Sequence, residues 1–380
     1  MNQYQFSEQD FSYMTRAIEL AKQGCFTTTP NPNVGCVLVK NDVIVGEGFH
    51  QVAGQGHAEV NALAMAGSQA FGATAYVTLE PCSHFGRTPP CAEGLKAAGV
   101  VKVIAAMVDP NPQVAGKGLA ILADAGIEVA SGLLEQQARL LNRGFLKRME
   151  QGMPFITCKM AASLDGKTAL KNGQSKWITG PKARQDVQLQ RAQSCAILTG
   201  ADTVLVDNAK LNVRVDELPE PLPTQLPVRQ PVRIIIDSQS RLTPELALFS
   251  IASEVIILTT ELDKSQQWPH YVSHIVVPEK NNKVDLEAAM KLLAQQQFNH
   301  IWLEAGATLA GQMTECNLID EYIVYLAPKL LGNDGKSLLN FTELTSMQDV
   351  VNLSINECVC IGDDIRITAT PRKASSKPNN

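Results

Sequence analysis

The sequence predicts two α/β domains in tandem, on three observations. At 380 residues the chain is longer than one hydrophobic core usually supports. Short β-branched runs alternate with amphipathic stretches through both halves, the pattern of sheets covered by helices. Between the halves, Glu150-Gln151-Gly152-Met153-Pro154 interrupts a long helical pattern. The expected domains are therefore 1–149 and 150–370, followed by a polar tail, 371–380, expected to be disordered.

Composition narrows the function. Hydrophobic residues make up 45% and charged residues 19%, as in ordinary soluble globular proteins. Net charge is −5, and neither half is basic: residues 1–150 hold 11 Lys+Arg against 13 Asp+Glu, the remainder 22 against 25. That argues against a surface built for nucleic acid, while a small anion gripped by a few local cations stays open. Met1 to Phe6 shows no basic and apolar leader, and no run of about 18 apolar residues occurs. A cytoplasmic protein without a membrane partner is expected. Nine irregularly spaced cysteines argue for reduced thiols rather than a disulfide framework.

In the first half, Ser7 with Asp10 caps a helix whose Phe11, Met14, Ile18 and Ala21 share one face before Gly24. Thr29-Pro30-Asn31-Pro32-Asn33-Val34-Gly35 is a rigid turn into two apolar runs, Val34–Val39 and Val43–Val45, read as a hairpin. A helix follows from His57, with Val60, Leu63 and Ala64 expected to point inward. Thr74–Leu79 reads as a buried strand, Ala92–Ala98 as a helix, and Val101–Ala106, Lys117–Ala125 and Ile127–Ala130 continue the alternation. A mostly parallel sheet is predicted. Leu133–Met149 reads as one long helix closing the domain.

Within this half lies the chemistry. His57, Cys82 and Cys91 supply one imidazole and two thiolates, a ligand set that suits tetrahedral zinc with its fourth position left to water. Cys91 falls at a helix start, where partial positive charge favours the thiolate. Glu59, two residues past the histidine, can shuttle protons without binding the metal. The run fits the H-x-E…P-C-x-x-C pattern of zinc nucleobase deaminases except that eight residues separate the cysteines. His84, Arg87 and the loop Asp109-Pro110-Asn111-Pro112 lie at strand C-terminal ends, where open sheets bind ligands. Read alone, they are equally solvated loop.

In the second half, Phe155–Ala161 is a strand followed by an Asp165-Gly166 turn, and the helix Pro181–Gln193 carries Arg184 and Arg191. Strand Ala196–Thr199 leads into Gly200-Ala201-Asp202-Thr203. Arg214 with Arg191 suits a phosphate, since guanidinium binds it through parallel hydrogen bonds. Glu217–Pro231, with five prolines, is a loop. Strands Val232–Ile236, Glu254–Leu258 and Ile301–Leu303 and the helix Asp285–Gln297 follow. After the last strand, Glu304-Ala305-Gly306-Ala307-Thr308-Leu309 opens a helix with small residues, a place where main-chain N–H groups can hold phosphate. No G-x-G-x-x-G string follows the strands at Phe155 or Ile301, so spacing alone assigns no nicotinamide cofactor.

Taken together, the Thr29–Gly35 run, the His57-Ala58-Glu59 triplet and Pro81–Cys91 with its long spacer resemble the deaminase domain of the bifunctional riboflavin-biosynthesis family, RibD. Ala161–Lys167, Ser175–Thr179, Gly200–Asn208, Leu211–Arg214 and Glu304–Gly306 resemble its reductase domain, in the same order. The resemblance spans about residues 7–370 and implies a cytidine-deaminase-like α/β/α domain followed by a dihydrofolate-reductase-like α/β domain. It implies one zinc ion per chain and NADPH, a phosphorylated pyrimidine as small-molecule substrate, and a homo-oligomer, dimer or tetramer. Glu59 would be catalytic. Asn33, His50, His84, Arg87, Asp109 and Asn111 would line the deaminase pocket. Ala161, Trp177, Thr203, Asp207, Ser238 and the stretch Gly306, Ala307, Thr308, Leu309, Ala310, Gly311 and Gln312 would contact NADPH. Ser175, Arg191, Leu211, Arg214 and Glu304 would contact the reductase substrate. Two rival readings, a nucleic-acid editor and a structural zinc module with an interaction domain, are disfavoured by the acidic charge of both halves and by the three-ligand count.

Overall fold

A computed structural model describes residues 4–83, 89–112, 114–222, 224, 226–262 and 265–372. The chain divides into two compact units, Met1–Met153 with Pro221–Arg229, and Pro154–Glu220 with Gln230–Asn380.

The first unit runs α1 (Glu8–Lys22), β1 (Gly35–Lys40), β2 (Val43–Phe49), α2 (Ala58–Ala66), β3 (Thr74–Val77), α3 (Cys91–Ala97), β4 (Lys102–Ala105), α4 (Lys117–Asp124), β5 (Glu128–Ser131), α5 (Glu135–Leu141) and α6 (Arg143–Gln151). Ser7 and Asp10 form a capping box at α1, as expected, with Met14, Ile18 and Ala21 buried, whereas Phe11 is 44% exposed. Asn41 and Asp42 at positive φ turn the β1–β2 hairpin. The sheet order is β2-β1-β3-β4-β5. It is mixed rather than mostly parallel: β1 pairs antiparallel with β2 and β3, while β3, β4 and β5 are parallel. The hairpin supplies two strands without a crossover helix, which forces that antiparallel edge. Alternation along β1 sends Val37 and Val39 into the core with α1, and Cys36 and Leu38 into the core with Ala58, Ala62 and Leu95. The result is three layers, α/β/α.

Two expectations fail here for physical reasons. On α2 the buried residues are Ala58, Glu59, Ala62 and Ala66, while Val60 is 39% exposed and Ala64 is also exposed. The helix lies so close to β2 that a methyl on Gly46 would stand 2.4 Å from the Ala62 carbonyl, and one on Gly48 2.5 Å from that of Ala58. Only small side chains fit that face, so it is not the face marked by the bulky residues. The expected long helix at Leu133–Met149 is two helices, broken at Asn142 (φ −118°). α6 runs on to Gln151, capped by Gly152 at φ +66°, which moves the break between units to Met153 and Pro154.

The second unit runs β6 (Phe155–Ser163), β7 (Lys167–Ala169), α7 (Pro181–Gln193), β8 (Ala196–Gly200), α8 (Ala201–Asp207), β9 (Val232–Ile236), β10 (Val255–Thr259) and β11 (Val272–Val276). It continues with β12 (Glu279–Lys280), β13 (Lys283–Val284), α9 (Leu286–Gln295), β14 (His300–Leu303), α10 (Ala307–Glu315), β15 (Glu321–Ala327), β16 (Lys336–Ser337), β17 (Leu353–Ile361) and β18 (Asp364–Pro371). Nine strands form one sheet, β11-β10-β9-β8-β14-β6-β15-β18-β17. It is parallel from β11 to β15 and antiparallel through β18 and β17. Ile197, Ile235, Ile257, Trp302, Ile323 and Tyr325 fill one core against α7 and α8 residues such as Ala183 and Val204. The carboxyl ends of β6, β8, β9 and β14 thus open side by side, where parallel sheets bind ligands. Pro371, expected to start the tail, still belongs to β18; residues 373–380 lie outside the described ones.

Candidate functional site

His57 is the N-cap residue of α2, directly after the loop that leaves β2, and Cys91 opens α3. Cys82 sits in the segment between β3 and α3 and accepts the Cys91 N–H at 3.2 Å, while its carbonyl accepts that of Ala92. These bonds bring the three ligand atoms within 4.8 Å of one another. His57 Nδ1 stands 3.3 Å from Cys91 Sγ and 3.6 Å from Cys82 Sγ. Tetrahedral zinc with ordinary Zn–N and Zn–S bonds spaces nitrogen and sulfur about 3.6 Å apart, so the set fits the ion. The Cys82 thiol is pushed down, first by its hydrogen bond with the Cys91 thiol, with His57 and the Cys91 amide assisting against burial. Glu59, 3% exposed, is carried inward by the close approach of α2 to the sheet. Burial first, then the charge of Cys82, pushes its carboxyl up to about 7.

Around this centre, His50 is buried with its ring edge-on to His57 at 5.4 Å between centroids. Its Nδ1 lies 3.1 Å from the Gly56 carbonyl, which can only accept, so Nδ1 carries the proton and Nε2 accepts from Asn31 Nδ2 at 3.0 Å. Burial lowers its pKa. Asn33 is half-buried, and both its main-chain groups are taken by the Asn142 amide: Asn33 N–H donates to Oδ1 at 2.7 Å and Asn33 O accepts from Nδ2 at 2.9 Å. Asp109 is 8% exposed and accepts the Asn111 N–H at 2.8 Å. His84 and Arg87 lie outside the described residues. The sequence reading did not single out Asn142 or Glu80. The only trace of Asn142 is a weak helix former inside a helical run. Glu80, 3% exposed, precedes Pro81-Cys82 and collects four main-chain N–H groups, those of Asp109, Gly116, Gly118 and Leu119.

In the second unit Glu304 follows β14 and its carboxylate meets the Arg191 guanidinium of α7 at 2.5 and 2.8 Å, with the Trp302 indole N–H at 2.8 Å. Arg191 also donates to the Asn212 carbonyl. Burial opposes ionisation of Glu304, but the Arg191 charge, its hydrogen bonds, the Lys159 charge and Trp302 outweigh it and hold the carboxyl at about 2. The expectation that Arg191 stands ready for phosphate therefore meets an ion pair already made. Arg214 is engaged through Nε with Glu217 at 2.6 Å, and its side chain is 42% exposed. Lys159 on β6, beside Glu304 and Arg191, was not foreseen; burial lowers its pKa, with Glu304 opposing. Leu211 is buried at φ +52°, a strained conformation for a branched side chain.

The residues expected to hold NADPH fall on β6 or in the segments and helices that follow β7, β8, β9 and β14. Thr203 lies in the first turn of α8, Asp207 is exposed at its end, Ala161 is half-buried on β6, and Ser238 follows β9, its hydroxyl accepting the Val284 N–H. Trp177 is 64% exposed, stacked under Arg184 at 4.7 Å, with its carbonyl and that of Ile178 held by Lys329. α10 begins at an N-cap, Gly306, that makes no side-chain cap and whose Cβ position faces open space. Gly306, Ala307, Thr308 and Leu309 thus offer an open helix entry that fits a dinucleotide phosphate. Ala310 and Gly311 are buried, Gly311 against the Asn340 carbonyl, and Gln312 is half-buried. Ser175 is half-buried in the segment between β7 and α7.

Comparison with known proteins decides the assignment. Residues 154–367 match the family model for the RibD C-terminal domain, and residues 7–107 match that for the cytidine and deoxycytidylate deaminase zinc-binding region. The riboflavin biosynthesis protein RibD of Haemophilus influenzae is 55% identical over 97% of this chain and 99% of its own length. The chain belongs to the RibD family. RibD of Escherichia coli is 53% identical over 94% of this chain and 98% of its own. The solved structure of Acinetobacter baumannii RibD superposes with a TM-score of 0.88 at 45% identity, covering 96% of this chain and 99% of that one. A Thermotoga maritima diaminohydroxyphosphoribosylaminopyrimidine deaminase/5-amino-6-(5-phosphoribosylamino)uracil reductase does so at 0.85 and 31%, with the same coverage. As a RibD member the chain is a bifunctional deaminase and reductase of riboflavin biosynthesis, with zinc and NADPH as cofactors. Its units are a cytidine-deaminase-like and a dihydrofolate-reductase-like fold. No described helix is long and apolar enough to cross a membrane.

Proposed function

We propose that the first unit deaminates 2,5-diamino-6-(5-phosphoribosylamino)pyrimidin-4(3H)-one to 5-amino-6-(5-phosphoribosylamino)uracil, and that the second reduces the ribosyl side chain to ribityl. The observation that carries the first step is the buried Glu59 carboxylate on the helix whose cap is His57, beside the thiols of Cys82 and Cys91. Zinc held by His57, Cys82 and Cys91 supplies Lewis-acid activation of water at neutral pH. Glu59 takes a proton from the attacking water and delivers protons to the ring nitrogen and the departing ammonia. Asn33, His50, Asp109 and Asn111, with His84 and Arg87, bind the pyrimidine and its ribose phosphate. Main-chain bonds fix Asn33 through Asn142, and His50 is held in one tautomer by Gly56 and Asn31.

For the second step NADPH supplies the hydride. Trp177, Thr203, Asp207, Ala161, Ser238 and the α10 entry from Gly306 hold it; Ser175, Leu211, Arg214, Glu304 and Arg191 hold the substrate. Arg214 is the more available phosphate ligand of the two arginines, being half-exposed and engaged with Glu217 through Nε. We also propose a homo-oligomer, dimer or tetramer, acting in the cytoplasm. Zinc thiolates and the exposed thiols of Cys358 and Cys360 suit a reducing compartment, and exposed Ile355 on the sheet-edge strand β17 is a surface that assembly can cover. Light scattering measures the assembly. The deciding experiment is a coupled assay on the diaminopyrimidine phosphate with zinc measured. Ammonia release followed by NADPH oxidation is expected, and zinc-loaded protein that releases no ammonia refutes the first step.

A further inference from the structure

Glu80 uses none of its carboxylate on the metal or on an ion pair in the described site, yet all its acceptor capacity is spent in one place. Oε2 accepts from Asp109 N at 3.1 Å and Gly116 N at 2.9 Å; Oε1 accepts from Gly118 N at 2.8 Å and Leu119 N at 3.2 Å. Its own N–H donates to the Met107 carbonyl. One side chain thus binds the entry and exit of the loop 109–116 and the first turn of α4 to the chain segment that reaches Cys82 two residues later. α4 is pressed against the same segment, since a Cβ on Gly118 would lie 1.9 Å from the Pro81 carbonyl. Four N–H donors converging on one buried carboxylate tie the loop ends and the helix turn together.

We propose that Glu80 is a positioning residue for deamination, setting where Asp109 and Asn111 stand relative to the zinc ligand Cys82. The inference rests on the proposed reading of Asp109 and Asn111 as pyrimidine contacts. Zinc is held by side chains that Glu80 does not touch, so its loss moves the substrate-binding loop and spares the metal. Glutamine has the same shape, but its amide nitrogen points hydrogens at two N–H groups. Whichever way it turns, either the loop ends or the helix turn is left without an acceptor.

The test is Glu80→Gln and Glu80→Asp in the full chain, assayed on the diaminopyrimidine ribosylamino phosphate, with zinc content and NADPH-dependent reduction of the uracil intermediate measured alongside. Both variants should keep one zinc per chain and full reductase activity, with KM of deamination raised about tenfold or more and kcat changed less than about threefold. A split of that kind is not what mere loss of folded protein produces. Unchanged KM in zinc-loaded Glu80→Gln overturns the inference. So does loss of zinc in both variants, which would make Glu80 a support for the fold of the centre. Asn111→Ala run in parallel separates the premises. If it raises KM while Glu80→Gln does not, only the positioning role fails. If Asn111→Ala leaves KM unchanged, the pocket reading falls and takes this inference with it.

Discussion

The zinc centre draws its ligands from a single compact stretch, His57 to Cys91, whereas the charged cluster of the second unit gathers Lys159, Arg191 and Glu304 from β6, α7 and the end of β14. The first gathers an imidazole and two thiols, a set that suits a cation; in the second, Arg191 and Glu304 already satisfy each other. Metal chemistry restricts both residue type and spacing, so it leaves a signature in sequence. A charge pair such as Arg191 with Glu304, drawn from separate elements, follows no fixed spacing and leaves almost none. The same difference should appear when each site is damaged: the metal site should lose chemistry and keep its fold, the paired site should lose both.

The largest effect is expected for Glu59→Gln. Deamination should fall by about 10²–10⁴-fold while zinc and reduction of supplied uracil intermediate persist. Surviving deamination would remove Glu59 as the proton carrier. Arg191→Ala leaves Glu304 charged with its side chain only 13% exposed, so the second unit should lose about 3–5 kcal/mol of stability, read by denaturant unfolding, along with reductase activity. A merely raised KM at unchanged stability would make Arg191 a simple phosphate ligand instead. Acid should break the same pair. Glu304 is depressed from 4.5 to about 2, so its stabilisation is complete above pH 4.5 and is lost as pH falls towards 2. The loss is roughly 3 kcal/mol, and Glu304→Gln should not show it.

Smaller effects test the outer parts of each site. Asn142→Ala removes both hydrogen bonds to the Asn33 main chain, worth about 1–2 kcal/mol, and should raise KM for deamination without touching reduction. Equal loss in both activities would mean that Asn142 serves the fold alone. Arg214→Ala removes a half-exposed cation and should raise reductase KM about five- to tenfold with little change in kcat. Unchanged KM would take Arg214 out of the phosphate site.

Much of this was readable in advance, but unevenly. The capping box at Ser7 and Asp10, the helix Pro181–Gln193 and the strand Val232–Ile236 follow from local rules, and the structure has them; it also brings His57, Cys82 and Cys91 together. What escaped depends on partners distant in sequence. The buried face of α2 is set by two glycines on β2, not by its own bulky residues. The break at Asn142 exists alongside its bonds to Asn33, more than a hundred residues away, and Glu80 draws its role from four N–H groups between Asp109 and Leu119. Likewise, the cationic pattern around Arg191 gave no hint that Glu304 would neutralise it.

Gly46 and Gly48 carry no functional group, yet they constrain how this enzyme can vary. Adding one methyl at either position would push α2 away from the hairpin, and that helix carries His57 and Glu59, the proposed metal ligand and proton carrier, together. Such a substitution cannot be repaired by adjusting one side chain, because His57 and Glu59 would move together while Cys82 and Cys91 stayed behind. The geometry of α2 beyond the end of the hairpin thus limits what these two strand positions can carry to glycine.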